Sequence, residues 1–309
     1  MTKVSVIMPC YNAASFLEHG VASVLGQTFQ DLELIVVDDG STDESSEILR
    51  RVDDPRLKMV FQRNMGVSSA RNRGLAEARG EFVAFLDADD TWHPDFLGKL
   101  AAALDANPEA VLAYCGWQNV GLPGGRGKPH VPPDYEGVNK IDFFLRCCPW
   151  PIHAALTRRS AIEAAGRFDE RFTHAEDYGL WLKIAVYARI FRVPEVLAFY
   201  HFHGEGQASG NGAVAALAHW KVQREFLGHH EEVVLRLGRK KIKELTDGYL
   251  LERGFECYWR RDLEAARRIF RTVLRLRYFG LSDLKYLLPS LLPLSVHRFM
   301  VAERKKYGK

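Results

Sequence analysis

Residues 80–90 read GEFVAFLDADD, so a short apolar run ends on Asp87, Asp89 and Asp90. Carboxylates this close repel one another unless a cation or hydrogen-bond donors offset the charge. Hard oxygen donors suit Mg²⁺ or Mn²⁺, and Mg²⁺ typically takes one or two carboxylates together with substrate phosphates. A solvated acidic turn ahead of the next helix accounts for the same residues without a metal. A second acidic stretch, VVDDGSTD over residues 36–43, sets Asp38 and Asp39 beside a Gly turn and a helix start. Carboxylates there can accept from base N–H and ribose hydroxyl groups, or can simply build an Asx turn and cap. Arg71 and Arg73, early in a helix, can meet a phosphate or base or lie solvated on the surface. Glu176 and Asp177 open the helical pattern of residues 174–188, where the helix dipole alone favours acids. His203 stands by itself after an extended run, as a metal ligand or as an ordinary structural histidine.

These groups need a scaffold. Residues 82–86 are too short an apolar run for a helix and suit a buried strand of a parallel sheet, whose ligands sit at the carboxyl ends of strands. Residues 4–8, 34–37 and 57–61 read as further strands. Helices fit over 14–25, from Ser41 (with capping-box spacing to Glu44) and over 67–78, the last ending at Gly80. This alternation predicts a mostly parallel, doubly wound sheet. Farther on, 96–104 reads as a helix and 111–117 as a strand. The Gly- and Pro-rich stretch 121–137 reads as a mobile loop, either an acceptor lid or a plain surface excursion. Trp150, more a core residue than a sugar platform, and His153 precede a strand-like run to Thr157. The helix over 174–188 carries Leu180, Ile184 and Tyr187 on one face, and 190–200 is a further strand.

Bulk properties bound the rest. The 309 residues are 47% hydrophobic and 26% charged, as in an ordinary globular protein. The net charge of +3 conceals an asymmetry: residues 215–309 carry 21 Lys and Arg against 11 Asp and Glu, whereas the first 214 carry 21 against 28. A basic tail on an acidic body suits an anionic partner surface. Five cysteines without metal-site spacing fit reduced thiols in a cytosolic protein. The apolar run at residues 4–8 leaves no room for a signal peptide before it. No uncharged apolar stretch is long enough to span a membrane.

Taken together, the sequence resembles glycosyltransferase family 2, inverting enzymes of the GT-A fold that use nucleotide-diphosphate sugars. The likeness rests on VSVIMPCYN (4–12), DDGS (38–41), ARNRG (70–74), DADD (87–90) and ED before LW (176–177, 180–181), in that order over residues 1–205. It implies that Pro9, Tyr11 and Asp39 line the nucleoside pocket, with Tyr11 stacking on the base and Asp39 accepting a base N–H. Arg71 matches the family's nucleotide-contacting arginine. Asp87 would approach the ribose or metal-bound water, Asp89 would hold Mg²⁺ or Mn²⁺ at the diphosphate, and His203 would add a ligand as in some relatives. Asp177, with Glu176 second, would be the general base. Without the Q-x-x-R-W motif of processive synthases, single-sugar transfer is expected, from a UDP-sugar to a glycan or lipid-linked acceptor of cell-surface polysaccharide.

The expected organisation is therefore a GT-A catalytic domain over 1–205, a hinge over 206–214 and a basic helical region over 215–309. Residues 261–277 contain an Ala266/Phe270 fragment like that of a tetratricopeptide helix pair. Residues 284–300, apolar but broken by Pro289 and Pro293 and with Arg and Lys nearby, suit either a bilayer interface or ordinary domain packing. The expected location is cytoplasmic, peripheral on the inner face of the membrane, with no nucleic-acid partner. Two alternatives stay open: sugar transfer to a polyprenyl phosphate, and a helical adaptor on a degenerate transferase fold.

Overall fold

The computed structural model describes residues 2–122, 127–137, 139–203 and 212–307. The chain divides into two compact units, Met1–Gly204 and Glu205–Lys309.

The first unit is built on one eight-stranded sheet. Strands β1 (Val4–Cys10), β2 (Leu32–Asp38), β3 (Leu57–Phe61) and β4 (Phe82–Phe85) lie parallel in the order β3-β2-β1-β4. Every residue of β1 and β4 is buried, as their unbroken apolar sequences require in a sheet covered on both faces. The crossovers are α1 (Leu17–Leu25), α2 (Ser45–Arg50) and α3 (Val67–Glu77). Beyond them come β5 (Thr91–Trp92), α4 (Phe96–Ala106), β6 (Ala110–Val120), α5 (Lys140–Arg146), β7 (Ala155–Arg158), α6 (Arg159–Ala164), α7 (Glu176–Ala185) and β8 (Arg189–His201). The sheet continues from β4 as β7-β6-β8-β5, with β7 antiparallel to both β4 and β6 and β5 antiparallel to β8. The architecture is thus GT-A-like, with a mixed rather than wholly parallel sheet.

Two glycines let this sheet close on its helices. Gly80, expected as a helix cap, is instead a close-approach site. Helix α3 ends on an extended Ala78, and a Cβ on Gly80 would stand 2.5 Å from the Ser5 backbone nitrogen. On α1, a Cβ at Gly20 would meet the Ala88 carbonyl oxygen at 2.8 Å. The helix therefore packs backbone to backbone against the acidic turn after β4.

Other local expectations need correcting. Ser41 does not cap a helix, because α2 begins only at Ser45; its hydroxyl accepts from the Asn12 backbone N–H instead. Tyr187 lies beyond the end of α7 and is exposed, whereas Leu180, Trp181 and Ile184 are buried. The stretch after β6 folds back along that strand. The Trp117 and His130 backbones exchange hydrogen bonds at 2.9 Å each, the Tyr114 hydroxyl donates to the Pro133 carbonyl, and Tyr135 is buried. Residues 123–126 and 138 of the expected loop lie outside the described residues.

The second unit is helical: α8 (Gly212–His229), α9 (Glu231–Lys243), a π-helical turn at Glu244–Gly248, α10 (Tyr249–Trp259), α11 (Leu263–Leu276), α12 (Leu284–Leu287) and α13 (Leu294–Tyr307). Of the expected hinge, residues 206–211 lie outside the described residues and 212–214 are already helical. Asp262 starts α11 by accepting from the Ala265 backbone N–H at 3.0 Å. The apolar face of α11 (Ala266, Ile269, Phe270, Val273) packs on Leu250, Leu251 and Tyr258 of α10, with Leu287 and Val301 in the same core. Among the described residues, no helix is long and apolar enough to cross a membrane.

Candidate active site

Parallel pairing brings the carboxyl ends of β1, β2 and β4 side by side, and the loops that leave them are braced by side chains. Asn12, with φ 49, accepts from the Thr42 backbone N–H at 2.8 Å, while Ser45 Oγ and Asp43 Oδ2 accept from the Ala13 and Ala14 N–H groups at 3.0 Å each. Pro9 stays inside β1, paired with Val37. Tyr11, just past the strand, is 52% exposed and so offers a free ring face.

The two aspartates after β2 do different work. Asp38 accepts from the Ser41 backbone N–H at 2.8 Å and from the Ser46 hydroxyl, which makes it the builder of the turn. Asp39 is buried and accepts three donors: the Gln62 side chain at 2.7 Å and the Met65 and Gly66 N–H groups at 2.9 and 2.8 Å. An ionised carboxylate has about four acceptor positions, so one is left.

The acids after β4 each find a partner from a distant segment. Arg71, on α3, is buried; its Nη2 donates to Asp87 at 2.7 Å and its Nη1 to Glu176 at 2.8 Å. Burial disfavours its charge, but Asp87 and Glu176 outweigh that and raise its pKa further. Arg73 pairs with Glu77, one turn on, at the surface. Asp89 Oδ2 lies 2.8 Å from His203 Nε2, and the His203 ring stacks on Phe16 at 4.2 Å. Burial, then Asp90 and Asp87, raises the Asp89 pKa. Asp90 is fully buried; it accepts from the His201 backbone N–H at 2.9 Å and lies 2.9 Å from His153 Nδ1. Burial opposes a charge on His153, yet Asp90, Asp87 and Asp89 together push its pKa up. Trp150 is a core residue stacked on Tyr114 at 4.5 Å.

Asp177 is in the first turn of α7, behind Ala175, whose left-handed φ of 59 is a strained start for a helix. Its Oδ1 accepts from the Tyr178 N–H at 2.7 Å. Part of its surface remains accessible, but the surrounding protein removes much of its hydration. Desolvation, then the Glu176 charge, pushes its pKa up to about 7, against the opposing pull of Arg71. A carboxylate poised near neutrality suits general-base work.

Among the described residues, no cluster of three or more His, Cys, Asp or Glu side chains could hold a metal. Asp89 Oδ2 and His203 Nε2 face each other as one oxygen and one nitrogen donor, a pair that would fit a divalent cation completing its coordination with other oxygen ligands.

The model of glycosyl transferase family 2 matches residues 5–164, more than half of the chain. The chain belongs to that family. Among curated relatives, an uncharacterized glycosyltransferase of Nostoc sp. strain PCC 7120 is 46% identical over 215 residues, 65% of this chain and 65% of its own length. A chondroitin synthase of Escherichia coli is 28% identical over 242 residues, 78% of this chain and 34% of its own length. The chain thus spans less than two thirds of either relative. Among solved structures, S. aureus TarS 1–349 with UDP-GlcNAc matches with a TM-score of 0.59 at 21% identity, covering 99% of this chain and 92% of that one. A mannosyltransferase of Pyrobaculum calidifontis with GDP-Man and Mn²⁺ gives 0.56 at 23%, covering 99% and 88%. At those identities the likeness is one of fold. The matched residues 5–164 include the strand ends that carry Asp39, Asp87 and Asp89.

Proposed function

We propose that the chain moves a single sugar from a UDP-sugar to a hydroxyl of a glycan or lipid-linked acceptor, with inversion, in cell-surface polysaccharide synthesis. The observation that carries this reading is the Arg71 bridge. It ties Asp87, at the acidic end of β4, to Glu176, the neighbour of Asp177. Donor-side acids and candidate base thus belong to one ion network. The nucleotide sugars bound to the TarS and Pyrobaculum structures support a nucleotide-sugar donor.

In this reading Tyr11 stacks on the base, and the remaining acceptor position of Asp39 takes a base N–H. Asp89 and His203 would hold Mg²⁺ or Mn²⁺, which would supply positive charge to offset that of the diphosphate. Asp177 takes the proton of the acceptor hydroxyl as its oxygen bonds to the anomeric carbon. The bond from that carbon to the nucleoside diphosphate breaks on the opposite face. One displacement inverts the centre, and no sugar is bonded to the protein.

The test is a panel of nucleotide sugars with and without Mg²⁺ or Mn²⁺, following release of nucleoside diphosphate. Release from a UDP-sugar that needs the cation supports the reading. Release only from a guanine nucleotide sugar would replace the donor, and release unaffected by a chelator would remove the metal.

A further inference from the structure

The mechanism leaves one feature of the helical unit unused. Leu288, Leu291 and Leu292 stand in a tight knuckle between α12 and α13, followed by Val296 and Phe299 on α13. All are exposed, Leu291 at 56% and Phe299 at 67%. Other residues of the same segment (Leu287, Pro289, Ser290, His297 and Val301) are buried, so the segment is anchored rather than dangling. Five large apolar side chains are thus exposed between residues 288 and 299, the kind of clustering that marks an interaction surface.

Part of the knuckle's backbone is already engaged in hydrogen bonds. Arg267 and Arg271 of α11 both donate to the Ser290 carbonyl, at 3.2 and 2.8 Å, and Arg267 also donates to the Leu292 carbonyl. The Leu292 N–H is bound to the Pro289 carbonyl and the His297 N–H to the Pro293 carbonyl. Pro289 and Pro293 have no N–H to satisfy. Each group so engaged lowers the cost of bringing irregular backbone into an apolar phase, where a bare peptide group must be stripped of water.

Charge decides which apolar phase. Residues 284–302 contain Lys285, His297 and Arg298 and no acid. Lys285 and Arg298 are exposed beside the leucines, and exposed Trp259 packs edge-on against Tyr286. Apolar residues rimmed by cations, with an aromatic at the margin, match the apolar-to-anionic gradient of a phospholipid surface. A second copy fits less well, because a two-fold contact would set the same cations against each other.

We infer that the knuckle at residues 288–299 is a docking surface for an anionic phospholipid bilayer, into whose headgroup region Leu288, Leu291, Leu292 and Phe299 insert. This is independent of the donor assignment. The experiment is co-sedimentation of the full chain with phosphatidylglycerol–phosphatidylcholine vesicles and with phosphatidylcholine vesicles, at low and high salt. The wild type should bind the anionic vesicles at low salt and be released by high salt. Leu291→Ser/Leu292→Ser/Phe299→Ser, all at exposed positions, should lower partitioning at least about tenfold with the melting temperature unchanged. Lys285→Gln/Arg298→Gln should lower it by roughly fivefold per charge, which keeps the test decisive if the triple variant is unstable. Absence of wild-type binding at low salt overturns the inference, as does wild-type partitioning by both variants. A dimer in sedimentation equilibrium that the triple substitution dissolves, with no vesicle binding, would assign the surface to a second copy.

Discussion

Arg71 and Glu176, 105 residues apart in the chain, meet in a 2.8 Å ion pair, and the same guanidinium holds Asp87. A planar fork can serve two carboxylates at once, which an ammonium cannot do with the same geometry. The contact links the acidic end of β4 to the helix that carries Asp177.

Arg71→Met should leave Asp87 and Glu176 without their counter-ion in a partly buried place. Loss of one partner of such a pair costs about 3–5 kcal/mol. Chemical denaturation is the measurement. Arg71→Lys should recover much of that stability yet remain poorly active, because one ammonium does not reproduce the two-sided bridge. Full activity in Arg71→Lys would show that charge alone is needed.

Asp177→Asn removes the proton acceptor and keeps the shape. Turnover should fall by roughly 10²–10⁴-fold with the Michaelis constant for donor little changed. In the wild type, activity should decline as pH falls through about 7, because protonation of Asp177 removes the base. The stability effect has the opposite sign to that of a salt-bridged acid. The folded-state pKa is raised, so between about 4 and 7 the folded state holds the extra proton and stability decreases as pH rises. Asp177→Asn should therefore melt above the wild type at pH 8. An equal or lower melting temperature there would assign Asp177 a structural role.

Asp89 and His203 are expected to act as a pair. Asp89→Ala should abolish cation-dependent transfer, and His203→Ala should raise the Mn²⁺ concentration needed by roughly 10–100-fold, the usual worth of a group supporting a metal site. Calorimetric titration of UDP with and without Mn²⁺ reads both. Cation-dependent UDP binding unchanged in Asp89→Ala would remove that residue from the site.

At a pH where the imidazole is protonated, His153→Phe should destabilise the fold by about 3–5 kcal/mol, since Asp90 is fully buried and would lose the ring 2.9 Å away. The double variant His153→Phe/Asp90→Leu should recover much of the loss. Because the His153 pKa is raised, its stabilisation is fully present below the unfolded value of about 6.5 and is lost as pH rises through the folded value. Denaturation of wild type and variants at pH 6 and pH 9 separates these outcomes.

The run at residues 82–86 and the acids behind it were legible because a buried parallel strand must be apolar on both faces, and its carboxyl end must then turn polar. The same logic exposed β1, β2 and the strand-helix alternation, and with them the family. The basic excess of residues 215–309 is likewise a property of composition alone. Direction is not. Nothing in ALTR tells β7 to run antiparallel to β4, because a buried strand has the same composition in either sense. Nor does sequence tell which polar groups pair. Ser41 has the spacing of a helix cap but braces the loop after β1, and Asp38 serves the turn while Asp39 holds residues 62–66. The partners of Asp87, Asp89 and Asp90 come from α3, from beyond β8 and from the segment before β7. Those pairings depend on how the sheet closes, and so does the desolvation that lifts Asp177. Local sequence specifies the donors and acceptors; only the tertiary structure decides which of them lose water together.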